Sequence, residues 1–170
     1  MEWHQQLQII AETALAILLG GMIGLERELA DKPAGLRTHM LVAGAATLLT
    51  GVGYSLVSEF HPLPNNESLR ADPLRLIEAI ITGISFLGAG TIIRRDKGEH
   101  VEGLTTAASL LFTGVLGICI SLRLFALAIA ITFMTLLVLR GVRVLERKLA
   151  LRRQRNKDNH KDKEKTEQTE

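Results

Sequence analysis

"LGGMIGLERELADKPAGLRT", residues Leu19 to Thr38, passes from oil to charge and back to oil. An apolar run, 7–25, leads into it and another, 38–57, leads out. A helix needs about 20 apolar residues to cross about 30 Å of hydrocarbon. Both runs have that length, so the charged string between them reads as a short aqueous connection. Three further runs follow, at 74–93, 104–122 and a shorter 124–139. The second and fourth contain no Asp, Glu, Lys or Arg, whereas a helix in a water-soluble bundle keeps a wet face. The fold class expected is therefore an all-α membrane protein with five transmembrane helices.

Mean hydropathy is +0.22 although the last thirty residues are almost wholly polar, so the apolar content is concentrated upstream. The length of 170 residues fits one domain. No Lys or Arg precedes the first apolar run, which is read as a span and not as a cleaved leader. Counting Lys and Arg between spans gives Arg27, Lys32 and Arg37 in the first connection and Arg94, Arg95 and Lys97 in the third. Eleven more follow from Arg140 onward, while the other side receives Arg70, Arg75 and Arg123. Seventeen against three places the N-terminus outside and the C-terminus in the cytoplasm.

Shifted by 68 residues, the opening stretch aligns without gaps on "LGAGTIIRRDKGEHVEGLTT", Leu87 to Thr106, with six identities including Arg27/Arg95, Gly35/Gly103 and Thr38/Thr106. Both copies are a helix end, a charged loop and a helix start, which predicts two parallel helical-hairpin repeats plus an unmatched fifth helix. One reading of the loops is local. Thr38 and Thr106 cap helix N-termini and the arginines anchor topology. The other makes Glu26, Arg27, Arg37, Thr38, Arg94, Arg95, Thr105 and Thr106 a site where an anion or a partner protein docks on exposed amides and guanidiniums.

Within the spans, Gly20 and Gly24 on the first helix and Gly83, Gly88 and Gly90 on the third are expected at helix contacts, since small residues let backbones approach in lipid. Two carboxylates lie inside spans. Glu12 and Glu78 occupy nearly corresponding places in the two repeats and form a candidate site for a proton or a divalent cation. Alternatively both reach the interface, with Glu78 paired to Arg75. His4, His39, His61, His100 and His160 are scattered among termini and loops and read as solvated.

The domain plan is 1–139 membrane domain, 140–155 basic amphipathic helix and 156–170 disordered tail. Arg140, Arg143 and Arg147 stripe the second segment and favour anionic headgroups. The tail has no apolar residue. The lone Cys119 excludes a disulfide framework and reads as a packing residue. Nucleotide loops, H-E-x-x-H and Ser- or Cys-His pairings are missing, so neither enzymatic activity, a cofactor, a metal centre nor nucleic-acid binding is expected.

The motifs "LLGGMIGLERE" (Leu18 to Glu28), "AGLRTHMLVAGAATLL" (Ala34 to Leu49), "ITGISFLGAGTIIR" (Ile81 to Arg94) and "VEGLTTAASLLFTGVLGI" (Val101 to Ile118) resemble the MgtC/SapB family of bacterial inner-membrane proteins. The resemblance implies a five-helix membrane domain and factors for adaptation to low magnesium or, in intracellular pathogens, survival in macrophages. It further implies action through other inner-membrane proteins, with ATP synthase or a transporter as candidate partners. Ser85, Ala79, Glu102 and Leu111-Phe112 depart from the family pattern, and the cytoplasmic regulatory domain that many members carry after the fifth helix is not expected. A small magnesium or proton transporter using Glu12 and Glu78 is the other reading; five spans can hardly enclose a path, so it implies a homo-oligomer.

Overall fold

The computed structural model describes residues 3–60, 73–94 and 101–141. Five helices carry the fold, joined at one place by a two-stranded ribbon: α1 (Trp3–Leu29), α2 (Leu36–Phe60), α3 (Pro73–Gly90), β1 (Ile93–Arg94), β2 (Val101–Glu102), α4 (Leu104–Ser121) and α5 (Phe125–Gly141). The first four are long and apolar enough to cross a membrane; α5 is apolar but shorter. The chain divides into two compact units, Met1–Thr135 and Leu136–Glu170, and the packing below belongs to the first.

Each boundary has a local cause. α1 stops at a left-handed residue, Asp31 (φ 55), where the Asp31 amide bonds Glu28 O (3.0 Å) and the Lys32 amide reaches back to Arg27 O (3.1 Å), the Schellman pattern. α2 begins where the Glu28 carboxylate accepts from the Leu36 amide (2.8 Å). Proline opens α3, where its missing N–H costs nothing. α3 ends at Gly90, short of the expected 93, because Ile93 and Arg94 pair antiparallel with Glu102 and Val101. Gly103 then turns the chain into α4 at φ 97, and a Cβ there would collide with Thr91 O. α4 closes with a second Schellman turn around left-handed Arg123 (φ 59), with Leu124 N bonding Cys119 O at 2.9 Å.

The helices α1 and α2 form an antiparallel pair in backbone contact. A Cβ on Gly20 would fall 2.7 Å from Ala43 Cβ, and one on Gly24 2.8 Å from Leu36 Cα. α4 then packs on both, its Gly117 lying against Ala43 O and 2.9 Å (measured from an added Cβ) from Ala46 Cβ. Contacts His39–Ser109 and Thr47–Gly117 keep one sequence offset of 70, so α2 and α4 run in the same direction. α3 lies antiparallel to α4 through Gly88–Ala107 and Ile84–Gly114. Just over half of α4's apolar window is buried, against 17% for α3. The centre is thus α4, whose Leu110, Leu116 and Ile120 are fully buried, as is Ile23 of α1.

Gly83 and Gly90, expected at helix contacts, touch no neighbour: nothing lies within 4 Å of a Cβ built at either, and each borders a hollow, Gly83 one shared with α2 and Gly90 one shared with the first loop. Cys119 is buried and free. The proposed 140–155 helix and 156–170 tail lie, from residue 142 on, outside the described residues, as does Arg95.

Candidate functional site

The end of the bundle holding the 30–35 turn gathers the polar residues of the opening stretch. Glu26 and Arg27 are buried, 2% and 3% exposed, with Arg27 Nε donating to Glu26 Oε2 at 2.7 Å. Neither is presented to an incoming partner. Arg37 and Thr105 are exposed, Thr38 is half-buried and Thr106 is buried.

The expectation that threonines cap these helices is overturned. The residue preceding α4 is Gly103, which has no side chain to offer, and the buried Thr106 Oγ1 finds no hydrogen-bond partner among the described residues. Thr38 sits within the first turn of α2, whose leading amide goes to Glu28. Helix start and cap residue are therefore supplied by different elements, an arrangement that a local sequence motif does not reveal.

His39 departs furthest from expectation: its place in the sequence suggests a solvated side chain, and it is fully buried. It stands on the α2 face that meets Gly20 and Gly24, whose missing side chains leave room for it. Its Nδ1 lies 2.9 Å from Gly35 O and its Nε2 3.1 Å from Ser109 Oγ, with Arg27 and Glu26 within electrostatic reach. A carbonyl can only accept, so Nδ1 carries a proton. The single proton of Ser109 then has two claimants, His39 Nε2 and Thr106 O at 2.8 Å. With a neutral ring it turns to the histidine; with a charged ring Nε2 donates and Ser109 keeps Thr106 O. The bridge between α2 and α4 thus changes its internal direction with the charge on one buried ring. Thr47 ties the same helices further in, its hydroxyl shared between Ala43 O (3.0 Å) and Gly117 O (2.9 Å).

The first loop and the end of α3 meet at this same end. Pro33, Ala34 and Thr38 line a hollow of about 440 Å3 together with Phe86, Leu87 and Gly90. Arg94 lies on β1 in the connection that follows.

The two candidate carboxylates are not brought together. Glu12 is buried toward the opposite end, whereas Glu78 is exposed on α3, which packs on α4 and α2. Among the described residues no ion pair joins Glu78 to Arg75, and no group of three or more His, Cys, Asp or Glu could hold a metal ion. Glu12 pairs instead with Arg123 at 3.6 Å, a partner 111 positions away that no local spacing indicates.

The MgtC family model matches residues 13–148, which include all five helices except the start of α1. The chain belongs to the MgtC family. Similar relatives in this family include SapB of Bacillus subtilis, 33% identical over 93% of this chain and 66% of its own length. YhiD of Escherichia coli K12, named provisionally as a magnesium transporter, is 36% identical over 78% of this chain and 59% of its own. MgtC of Brucella abortus is 40% identical over 69% of this chain and 44% of its own. The chain spans about three fifths of the length of YhiD and of a Haemophilus influenzae relative. No solved structure matches.

Proposed function

We propose that this MgtC-family chain is a non-enzymatic, multi-pass protein of the bacterial inner membrane, N-terminus outside, that regulates a partner membrane protein during magnesium limitation or stress. The observation that carries this reading is the closed seam between α1, α2 and α4. Gly20, Gly24 and Gly117 bring backbones into contact there, filling the place where a one-chain conduction path would run. At the loop end, Arg37 and Thr105 stay exposed, as a docking surface requires. Magnesium enters the reading through the names of relatives, YhiD among them.

One observation favours the transporter reading, the burial of Glu12 inside a span. Its pairing with Arg123 neutralises the charge that a divalent cation would need. The deciding measurement is magnesium flux into proteoliposomes loaded with a magnesium-sensitive dye. Flat traces are expected, together with loss of growth in low magnesium for Arg37→Ala at unchanged protein level. Protein-dependent uptake that Glu12→Gln abolishes would replace regulation by transport.

A further inference from the structure

At the end opposite the loops, α1, α2 and α4 leave a cavity of about 410 Å3 whose polar lining includes Gln8, Glu12, Tyr54, Ser121 and Arg123. Glu12 is 7% exposed, and both its contacts fall on one oxygen: Oε1 accepts from Gln8 Nε2 at 2.6 Å and lies 3.6 Å from Arg123 Nε. The other oxygen, Oε2, takes part in neither. Arg123 is held in the left-handed region by the α4–α5 turn, with its side chain 62% exposed, so its outer N–H groups are available to a ligand. Ser121 Oγ is buried beside this cavity and has no hydrogen-bond partner among the described residues.

The charge pattern selects the ligand. A divalent cation would meet a guanidinium beside a single carboxylate, and a simple anion would meet the buried carboxylate. A molecule carrying both signs satisfies both. A second hollow of about 430 Å3 shares Gln8, Glu12 and Arg123 with the first and continues over Ala11, Leu15 and Phe125, which are apolar. Both open where the candidate spans Leu36–Leu56 and Leu104–Ser121 end, with exposed Tyr54 at the same level, the depth of lipid headgroups.

We propose that this double cavity binds an aminophospholipid of the phosphatidylethanolamine type, its ammonium on Glu12 Oε2, its phosphate on Arg123 and an acyl chain along Ala11, Leu15 and Phe125. The proposal rests on the chain spanning a membrane and is independent of any partner at the loop end. The test is native mass spectrometry of the full chain equilibrated in detergent with phosphatidylethanolamine and phosphatidylglycerol of matched chains. The wild type retains the ethanolamine lipid about tenfold better, the worth of one charge-assisted hydrogen bond. Glu12→Gln erases that preference, Arg123→Asn, whose side chain tolerates the left-handed turn, lowers retention of both lipids, and Leu15→Trp does the same by filling the apolar hollow. Equal retention by the wild type, or an unchanged preference in Glu12→Gln, overturns the proposal. So does displacement by soluble phosphoethanolamine at the lipid's own concentration, which would mark a site for a water-soluble zwitterion. Should Glu12→Gln fail to fold, Leu15→Trp and the soluble competitor still decide.

Discussion

Arg27 and Glu26 carry opposite charges into a corner where each is at most 3% exposed, and they meet there at 2.7 Å. Removing either charge breaks this buried contact. Arg27→Ala is expected to cost about 3–5 kcal/mol, the typical cost of deleting one partner of a buried ion pair. Arg27→Met combined with Glu26→Gln removes both charges and should recover a large part of that loss. Thermal unfolding in detergent reads the difference; strictly additive losses would mean that the pair is not coupled. Glu28 makes a milder case, since it satisfies only the Leu36 amide from an exposed position. Glu28→Ala should cost about 1 kcal/mol in the same assay, and Glu28→Gln less, because the amide oxygen still accepts. Little of this was legible beforehand. Acid next to arginine at the end of a span reads as a loop, and only the packing of Gly24 on Leu36 shows that α1 carries the pair below the surface. The burial of His39 is hidden for the same reason: it depends on two glycines of another helix, whereas its own neighbours in sequence look like a helix start.

Helices were the most legible scale, since run length and composition fix a span without knowledge of its partners. Four of the five runs became helices long enough to cross, and the misjudged end of α3 belongs to a ribbon whose pairing of Ile93 with Glu102 bridges residues with no local signal. Which glycines touch a neighbour is a property of pairs of helices, so Gly20 and Gly83 look alike in sequence and differ in space. Gly20→Val should push α1 off α2 and abolish a monodisperse protein in detergent. Gly83→Val, with nothing within 4 Å, should purify like the wild type. Equal behaviour of the two would contradict the packing described for α1, α2 and α4.

For the whole molecule, the charge count assigns sides and the packing assigns only relative directions. Cysteines placed at the two ends join these. Arg37→Cys should react with a membrane-impermeant maleimide only in inverted vesicles, and Tyr54→Cys only in intact spheroplasts. The native Cys119 is buried and contributes little background. Labelling of both from the same side would contradict the opposed ends of α2 as a span.

The shared direction of α2 and α4 has a consequence for biogenesis. A hairpin such as α1–α2 can close as soon as it has left the translocon, but two segments pointing the same way cannot meet until α3 has been threaded back between them. The hydroxyl of Thr47 therefore waits for Gly117 through the synthesis of some seventy intervening residues, and the seam between α2 and α4 matures later than the α1–α2 hairpin.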